Sequence, residues 1–412
     1  MRSQKIRLKP TKEQENLAWW YSKVSRNFWN LLVDIDKRNN KGEFDEILNK
    51  NGNNTYFSKF HNRDIYKLNQ SDYLNLAKIV VAKNSEEDSE EWSWYYQGNQ
   101  SFIYNFLSRE LVKIRYQNKG KLNFRTVDKI RPNFNVRCDV FPNNKRPSRI
   151  YLKENGKLQI PTIGDVEFGS VRKGFDLSCK KQVANISFDG KYWYLSYTED
   201  IETSVVNLPD YTDGVGIDLG IKKLATISDG TNVPNIKTFR RVRILNKRLK
   251  RLQRKVSRKY LINKCNKHNK TKNIIKLERQ IKLIYRSIKN IRINHIRKFV
   301  SELVKKQPQY IAIEDLNVKG MMKNKHLAKD IVNCSFHTIR EHLIRKATDR
   351  RIAVRLVERF YPSSKNCSNC GSYKKDLKLS QRVYSCDNCQ EKIDRDFNAS
   401  LNIAKTDKYV LA

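Results

Sequence analysis

Four cysteines in the last part of the chain place the strongest constraint on its fold. Cys367, Cys370, Cys386 and Cys389 follow the spacing C-x2-C-x15-C-x2-C. Each C-x2-C pair presents two thiolates on one short turn, and a linker of 15 residues can return the second pair to complete a tetrahedron around Zn2+. A disulfide framework would suit a small secreted chain better than one of 412 residues. The spacing therefore predicts a structural zinc site, whose four sulfur ligands leave no open position for catalysis.

The other four cysteines are isolated in the sequence: Cys138, Cys179, Cys265 and Cys334. They lack the paired spacing of a metal-binding turn. A cysteine outside such a site packs as a small apolar side chain. We therefore expect these four to be ordinary buried or half-buried residues.

The chain carries a large excess of positive charge. It has 83 lysines and arginines against 43 acids, a formal net charge of +40. Its basic residues run through nearly the whole chain, whereas a peripheral membrane protein would gather them in one patch or amphipathic helix. No run of about 18 apolar residues could span a bilayer, and the first residues lack the apolar core of a signal peptide. We expect a soluble, cytoplasmic protein that binds nucleic acid and has no membrane partner.

The first third of the chain has the pattern of helices, in a sequence long enough for two or three domains. Thr11 and Gln14 have the spacing of a capping box. Apolar residues then recur every three or four positions, which predicts an amphipathic helix: Leu17, Trp20, Val24, Phe28, Leu31 and Ile35. A further helix is expected over about residues 92–116. The polar stretch 38–55 and the acidic run 85–91 indicate loops or solvated insertions.

From about residue 130 to 200 the pattern changes to strands. Asn155-Gly156 and Asp189-Gly190 each lie between alternating or apolar runs, which is the strongest short-range signal for a β-hairpin. The segment therefore predicts a small antiparallel barrel or sheet. Such a module could be purely structural or a platform for nucleic acid, and the sequence leaves both open.

Three acids that each end a secondary-structure element are the candidates for chemistry. Asp218 projects from the apolar strand VGIDL, Glu314 ends the apolar strand YIAIE, and Asp396 begins a helix. An acid on an apolar strand is costly unless something charged meets it. The acids are 96 and 82 residues apart, so only the fold can bring them together. If they meet, they form a hard oxygen site suited to Mg2+ or Mn2+.

A site of this kind would hold two divalent ions about 4 Å apart, one to activate water and one to stabilise the leaving oxygen of a phosphodiester. That chemistry fits a basic chain. Three other acids are expected to be caps, ion pairs or surface charges: Asp229, Asp315 and Asp394.

The most basic stretch lies between the first two acids. Residues 237–298 hold 24 lysines and arginines and a single acid, Glu278. Two apolar stripes at helical spacing run through it: Leu245, Leu249, Leu252 and Val256, then Leu277, Ile281, Ile284, Ile288 and Ile291. With a polar turn near 264–272, they predict a helical hairpin. Its apolar faces would pack on the protein, but so many cations would repel one another without nearby phosphates, so we expect this hairpin to bind a nucleic-acid backbone.

Five segments resemble the successive motifs of one family. They are VGIDLGIKKLAT, IAIEDLNVKGM, YPSSKNCSNCG, LSQRVYSCDNC and DRDFNASLNIA, and the opening KIRLKPTKEQENL is similar as well. The family is TnpB, the insertion-sequence-encoded RNA-guided endonucleases that resemble ancestors of type V CRISPR effectors. The likeness is strongest over residues 206–412 and weakest over 36–130. Two residues depart from the family's pattern: Gln390 stands where glycine is usual, and Ser400 where alanine is usual.

This resemblance implies an α/β multi-domain fold. Its core would be a RuvC-like, RNase H-type nuclease carrying Asp218, Glu314 and Asp396 as the metal-binding triad, with a zinc ribbon inserted before the last acid. The implied domains are a wedge-like β-barrel domain (1–10 and 121–205), a helical recognition lobe (11–120), a split RuvC-like nuclease domain (206–360 and 391–412) and the zinc ribbon (361–390).

The resemblance also implies an enzyme that cleaves double-stranded DNA beside a short target-adjacent motif. In such enzymes base pairing with a guide RNA supplies sequence specificity, while the protein supplies shape and charge. The implied partners are a guide RNA and double-stranded target DNA. The implied cofactors are structural Zn2+ and catalytic Mg2+ or Mn2+. We expect a monomeric ribonucleoprotein, with a dimer as the alternative.

Three other functions stay open. A miniature type V CRISPR effector would share every motif. A non-cleaving nucleic-acid-binding accessory protein of transposition would not need the three acids, which argues against it. A DNA-only transposase is less favoured still, because no separate set of acids for strand transfer is apparent.

Overall fold

The computed structural model of the protein describes residues 2–50, 57–60, 63–66, 68–97, 101–117, 122–126, 132–138, 150–169, 183–199, 213–264, 270–378 and 381–412. The chain divides into two compact units, Met1–Glu202 and Thr203–Ala412. Within the described residues, no helix is both long and apolar enough to cross a membrane.

The first unit combines helices with antiparallel strands. In chain order its elements are β1 (Arg2–Lys9), α1 (Lys12–Asn39), α2 (Asp45–Lys50), β2 (Phe57–Phe60), β3 (Arg63–Tyr66), α3 (Gln70–Glu87), α4 (Ser89–Trp92), α5 (Ser101–Gln117), β4 (Asn133–Arg137), β5 (Tyr151–Leu152), β6 (Leu158–Ile160), β7 (Gly164–Phe168), β8 (Val183–Phe188) and β9 (Trp193–Glu199). Strands β2 and β3 form a separate two-stranded sheet.

The capping box predicted before α1 is present. The Thr11 hydroxyl accepts from the Gln14 backbone N–H, and the Gln14 side chain accepts from the Thr11 N–H at 3.0 Å. Most of the predicted apolar face is buried, and Val24 and Phe28 are completely so. Leu17 is the exception, because it is 42% exposed in the first turns of the helix. The helical periodicity therefore identified the buried face correctly except at its amino-terminal end.

Seven strands of the first unit form one antiparallel sheet, in the order β4-β8-β9-β1-β7-β6-β5. The two predicted hairpins are confirmed, since β5 pairs with β6 and β8 with β9. Gly156 and Gly190 lie in their turns with φ values of +72° and +99°. Glycine adopts this left-handed conformation at no steric cost, which is why these dipeptides mark the turns.

Three boundaries in the first unit differ from the sequence-based expectation. The acidic run 85–91 is not a loop, because α3 continues to Glu87 and α4 begins at Ser89. Within the stretch 38–55, residues 45–50 form α2. The helix expected from residue 92 begins only at Ser101, after a 3-10 turn at Ser93–Tyr95. Solvated faces carry enough polar residues to hide a helix from composition alone.

The second unit is a mixed α/β structure. In chain order its elements are β10 (Val215–Leu219), β11 (Lys223–Ile227), β12 (Asn232–Pro234), α6 (Arg240–Lys264), α7 (Lys272–Lys305), β13 (Tyr310–Glu314), α8 (Val318–Met321), α9 (Ala328–Cys334), α10 (Phe336–Thr348), β14 (Ala353–Val357), β15 (Val383–Ser385), β16 (Lys392–Asp394), α11 (Arg395–Lys405) and β17 (Tyr409–Leu411).

Its central sheet has the strand order β12-β11-β10-β13-β14-β17. Strands β10, β11 and β12 form an antiparallel meander, β10, β13 and β14 run parallel, and β17 closes the sheet antiparallel to β14. Parallel neighbours require crossover connections. Helices α6 and α7 lie in the connection to β13, and α8 to α10 lie in the connection to β14. The carboxyl ends of β10, β13 and β14 therefore meet at one edge of the sheet.

Alternate residues of β13 face opposite sides of this sheet. Ile311 and Ile313 are buried in a core that also contains residues of α7, α9 and α10. Ala312 packs with Ile403 of α11 on the other side. Because Glu314 follows Ala312 by two positions, it projects toward the side that α11 covers.

The predicted basic hairpin is confirmed as α6 and α7. Its two apolar stripes meet in a small core that includes Leu249, Leu252, Ile284 and Ile288. The turn expected near 264–272 falls partly on residues 265–269, which lie outside the described residues.

One expectation about the isolated cysteines is wrong. Cys138 is buried but disulfide-bonded, so it is not an ordinary thiol. Cys334 is free and buried, as expected. Cys179 and Cys265 lie outside the described residues. The spacing around Cys138 gives no signal for such a bond, because the fold alone brings bonded cysteines together.

Candidate metal centres

The four clustered cysteines meet in space as their spacing predicts. Their sulfur atoms all lie within 4.8 Å of one another. The Sγ atoms of Cys367 and Cys389 are 3.6 Å apart, and so are those of Cys370 and Cys386. A disulfide would hold two sulfurs at about 2.05 Å. Four sulfurs at about 2.3 Å from one Zn2+ lie about 3.8 Å from each other, so the cluster fits a tetrahedral zinc ion.

The pKa values of two of these thiols move in opposite directions. A hydrogen bond from the backbone of Ser372 lowers the pKa of the Cys370 thiol to about 6. The backbone of Glu391 lowers the pKa of Cys389, but desolvation and hydrogen bonds with the other three sulfurs outweigh it and raise that pKa to about 12. Neighbouring thiolates repel one another, so in the absence of a cation one thiol of the cluster loses its proton readily while another keeps it. A bound metal ion would remove this repulsion and allow all four thiols to ionise.

The residue after each C-x2-C pair has a left-handed backbone. Gly371 follows Cys370 with φ +74°, and Gln390 follows Cys389 with φ +58°. The two turns therefore repeat one backbone conformation. Glycine adopts this left-handed conformation without steric cost at the first turn. At the second turn the residue has a Cβ atom, so the same conformation is strained.

Asp218 and Glu314 lie side by side on neighbouring parallel strands. The register of β10 and β13 pairs Ile217 with Ile313. One residue further, the same register aligns Asp218 with Glu314. Adjacent strands are about 4.8 Å apart, and aligned residues of parallel strands point to the same face. The carboxylates therefore share the edge where the two strands end.

Helix α11 brings Asp396 to the same face. A Cβ atom on Gly216 would lie 2.1 Å from the backbone oxygen of Ser400 and 2.5 Å from the backbone nitrogen of Ala404, so the helix touches the strand here. Residues 396, 400 and 404 share one side of the helix, and residues 216 and 218 share one side of the strand. Four helical residues span about 6 Å and two strand residues about 6.7 Å. The first turn of α11 thus reaches the level of Asp218, on which the charge of Asp396 acts.

Burial and mutual repulsion perturb these carboxylates. Burial raises the pKa of Asp218 well above its usual range, and the negative charges of Glu314 and Asp396 raise it further, against a smaller lowering by Arg395. Burial also raises the pKa of Glu314, although the Ser363 hydroxyl donates a 2.8 Å hydrogen bond to its Oε1 and lowers it. Neighbouring, half-buried carboxylates with raised pKa values are typical of functional sites.

Asp396 is held by cations and by the helix start. The Arg395 guanidinium lies 3.1 Å from its Oδ1, and Arg382 lies 3.9 Å from its Oδ2. Asp394 is the N-cap of α11, and its Oδ1 accepts from the backbone N–H groups of Asp396 and Phe397 at 3.0 Å each. Asp394 is therefore a cap, as the sequence predicted.

The other two acids set aside in the sequence are also ordinary. Asp315 forms ion pairs with Arg340 at 2.7 Å and with Arg359 at 2.6 Å. Asp229 pairs with Lys306 and accepts from the backbone of a turn. Both predictions are confirmed.

The four-cysteine cluster is the one group of three or more potential ligand side chains close enough to hold a metal ion among the residues that the structure describes. The three acids do not form such a group, although the register aligns Asp218 with Glu314 and the charge of Asp396 acts on Asp218. The site residues Asp218, Glu314 and Asp396 therefore converge on one sheet edge, and their role as metal ligands stays a prediction.

Sequence reasoning missed the link between the cysteine module and the acids. The buried Asn398 and Asn402, one turn apart on α11, donate side-chain hydrogen bonds of 2.7 Å to backbone oxygens before the first cysteine: Asn398 to Asn366, and Asn402 to Ser363 and Asn366. The Asn398 oxygen accepts from the Ser368 N–H at 2.9 Å. Two asparagines at i and i+4 in DFNASLNIA were the available signal. Asparagine is unfavourable inside a helix, so its presence there indicates that the side chain makes specific hydrogen bonds.

The fold and the two clusters define a class of protein: a mixed α/β structure with carboxylates at the edge of its central sheet and a four-cysteine module before the last of them. Two family models match this half of the chain. The model OrfB_IS605, described as "Probable transposase", matches residues 197–325, and "Cas12f1-like, TNB domain" matches residues 336–403.

Individual relatives agree with these models. The chain is 34% identical to a "Putative RNA-guided DNA endonuclease" of Streptomyces pristinaespiralis over 51% of this chain and 49% of that protein. It is 30% identical to the "Putative RNA-guided DNA endonuclease InsQ" of Escherichia coli over 63% of this chain and 64% of that protein. The chain thus spans about half the length of the first relative and under two thirds of the second.

A solved structure, the "Cryo-EM structure of the Cas12f1-sgRNA-target DNA complex", aligns over 99% of both chains with 15% identity and a TM-score of 0.48. Together, the family models and the relatives agree with the resemblance that the motifs predicted, because the chain is similar to proteins named RNA-guided DNA endonucleases and, at 26% identity over 51% of this chain and 42% of that protein, to the TnpB-like protein L79 of Acanthamoeba polyphaga mimivirus.

Proposed function

We propose that this protein is an RNA-guided DNA endonuclease of the TnpB type, which cleaves double-stranded DNA next to a short target-adjacent motif. The observation that carries the proposal is the register that aligns Asp218 with Glu314 at the carboxyl edge of the central sheet, together with the action of the Asp396 charge on Asp218. The names of the relatives, which are RNA-guided DNA endonucleases, support the same activity.

The three acids have the donor chemistry of a site for Mg2+ or Mn2+. Their oxygens are hard ligands. Burial first, and then the negative charges of Glu314 and Asp396, raise the pKa of Asp218, and divalent cations would relieve the repulsion among these charges. Bound ions would supply an activated water and would stabilise the oxygen that leaves the phosphodiester. The chain's own residues would orient the ligands: Ser363 holds Glu314, and the N-terminal turn of α11 directs Asp396.

We assign the second unit to a RuvC-like, RNase H-type nuclease core. An antiparallel meander followed by two parallel strands, with acids at the ends of the first and second parallel partners, supports this assignment. The cysteine module would be a zinc ribbon inserted before the last acid, and β15 and β16 pair within it. The zinc would be structural, because all of its coordination positions would be taken by sulfur.

The remaining domains and partners follow from the charge and from the family. Residues 11–120 would form the recognition lobe, and residues 1–10 with 121–205 the wedge-like domain. The net charge of +40 suits the binding of guide RNA and target DNA. We expect the working particle to be a ribonucleoprotein with one protomer, in the cytoplasm.

A miniature CRISPR effector is the second candidate, because the "Cas12f1-like, TNB domain" model matches residues 336–403. The two candidates share their chemistry and differ in the source of the guide. RNA that co-purifies with the protein from its native locus would distinguish them. A guide derived from the transposon end supports the TnpB type, and one derived from a repeat array supports the CRISPR effector.

Cleavage by variants of the three acids tests the activity. Asp218→Ala, Glu314→Ala and Asp396→Ala should each lower the rate of plasmid cleavage by more than about 100-fold, since each would remove a metal ligand. Binding of the guide RNA should remain unchanged. Asp229→Ala is the matched control, because it removes the same charge from a turn acid paired with Lys306. Full cleavage by any of the three acid variants would reject the proposal.

A further inference from the structure

Phe360 is the most exposed large apolar side chain among the described residues, at 92%. It lies only three positions before Ser363, which holds Glu314. A benzyl group in water forfeits the free energy of burial that almost every other phenylalanine gains. An exposed aromatic ring beside the acids is therefore a candidate contact for a ligand.

The ring sits at the tip of a fixed turn. The Tyr361 N–H bonds to the Glu358 oxygen at 3.0 Å, which makes Phe360 the third residue of a four-residue turn. The Glu358 N–H in turn bonds to the Lys408 oxygen at 3.1 Å. The turn follows directly on β14, whose last residue, Val357, is aligned with Glu314. Phe360 therefore stands at the same edge of the sheet as the acids.

Both sides of the turn are anchored to the acid-bearing strand. Arg359, immediately before the ring, donates to the Asp315 carboxylate at 2.6 Å and to its backbone oxygen at 3.3 Å. Ser363, after the ring, donates to Glu314. A backbone fixed on both sides holds the exposed ring at a set distance from the carboxylates. Such pre-organisation lowers the entropic cost of binding a ligand.

The surroundings decide which ligand fits. Arg359 pairs with Asp315, and Arg382 and Arg395 pair with Asp396, so these cations are already engaged by acids. A second copy of this chain would bring another net charge of +40 to the surface. A nucleic-acid strand instead carries the negative charge that a chain of this net charge attracts, and its bases offer a flat π-face for the ring. Stacking on aromatic residues is how proteins bind unpaired bases without regard to sequence.

We propose that Phe360 stacks on an unpaired base of the DNA strand whose backbone enters the acid site, and so positions the scissile phosphodiester. This inference rests on the proposed function. The ring would hold any base, because every base presents a π-face. It contributes no atom to the reaction; its role is to fix the strand while the carboxylates and their ions act.

An abasic scan combined with Phe360→Ala tests this inference. The guide-loaded, full-length protein would be given single-stranded targets in which one nucleotide at a time lacks its base. In the native protein, one abasic position near the cut should lower kcat/KM about 5-fold or more. In Phe360→Ala, intact substrate should show that same loss, and the abasic position should add nothing further. Identical abasic profiles in the two proteins would overturn the proposal.

Further variants separate stacking from general apolarity. Phe360→Trp should restore the native rate, whereas Phe360→Leu should resemble Phe360→Ala, because it keeps apolar area but has no π-face. Leu411→Ala is the matched control: Leu411 is 71% exposed, but it pairs with Arg355 in the middle of β14 and lies outside the turn that carries Phe360. Loss of rate in Leu411→Ala equal to that in Phe360→Ala would contradict a specific role.

A binding version keeps this test independent of cleavage. In an Asp218→Ala background, 2-aminopurine at the scanned position should be quenched by stacking on Phe360, and the quench should disappear in Phe360→Ala. If the protein proved not to cut DNA, quenching would still establish the stacking site. If cutting occurred without any quench that depends on Phe360, the proposed function would stand and this inference would fall.

Discussion

The negative charge of Asp218 lowers the stability of the folded protein, whereas the proposed metal binding requires that charge. Its folded-state pKa lies above the value of about 3.9 that an exposed aspartate has. The folded protein therefore holds a proton that the unfolded chain releases. The resulting stability is fully present below pH 4 or so, and it is lost as the pH rises through the folded-state pKa.

The first prediction is that Asp218→Asn stabilises the metal-free protein. At neutral pH in EDTA, removal of one charge from the crowded acids should raise the free energy of unfolding by about 1 kcal/mol, the common scale for one substitution. Thermal melts with and without Mg2+ would measure it. Mg2+ should raise the melting temperature of the native protein more than that of the variant. Equal responses to Mg2+ would show that the acids do not bind the ion together.

The second prediction concerns the paired turns of the cysteine module. Gln390→Gly should stabilise the zinc-loaded protein by about 1 kcal/mol, because a residue with a Cβ atom pays about that much in the left-handed conformation. Gly371→Ala should destabilise it by a similar amount, since a Cβ there meets no atom within 4 Å and the cost is purely conformational. Thermal melts at saturating zinc would measure both. Effects of the same sign in the two variants would contradict the explanation.

At the scale of elements, the contact between α11 and β10 decides where Asp396 lies. A third prediction is that Gly216→Ala destabilises the protein by about 3 kcal/mol, because the new methyl group meets the backbone of α11 and cannot be relieved by a side-chain rotation. Cleavage should fall as well, since the helix carries Asp396. Urea denaturation and the plasmid assay would measure the two effects.

Gly230→Ala is the control for this substitution. Gly230 has φ +86° and open space around its Cβ position, so it should lose only about 1 kcal/mol and keep cleavage. If Gly230→Ala impaired cleavage as much as Gly216→Ala, the loss could not be assigned to the displaced helix.

The fourth prediction couples the zinc module to the acids through α11. Cys386→Ser should reduce bound zinc from one ion per chain and lower cleavage about tenfold or more. The reason is that Asn398 and Asn402 bind the backbone beside the first cysteine and belong to the helix that positions Asp396. Metal analysis would measure the zinc, and Cys334→Ser, a buried thiol outside the cluster, should leave it unchanged. Native zinc content in Cys386→Ser would refute the ligand assignment.

At the scale of the whole molecule, the sequence predicted what local patterns encode. Periodicity identified α1, α6 and α7, and turn dipeptides identified the hairpins at Gly156 and Gly190, because these signals depend on residues near one another in the chain. It could not supply the register that aligns Asp218 with Glu314, because that register depends on a contact between distant segments. Nor did any spacing indicate the disulfide of Cys138. The role proposed for Phe360 could not be predicted from the sequence either, because only a structure shows that an apolar residue is exposed.

The net charge of +40 gives the last prediction, which concerns the basic hairpin of α6 and α7. Arg251, Arg254, Lys255 and Arg258 are exposed along α6. If they contact phosphates, replacing all four with glutamine should lower the slope of log K against log salt concentration by up to about 0.9 per contact on duplex DNA, and by about 0.7 on single strands. Titrations of guide RNA between 50 and 200 mM salt, roughly the range over which such slopes are resolved, would measure it.

The matched control replaces the three arginines with lysine and leaves Lys255 in place. That variant keeps every charge, and so it should keep the slope, even if the loss of bidentate guanidinium contacts weakens binding. An unchanged slope in the glutamine variant would mean that the hairpin's cations face only solvent. Counterion release depends on charge alone, so a lowered slope in the lysine variant could not come from a loss of charge. Such a result would mean that the geometry of the guanidinium groups, and not their charge, determines the affinity.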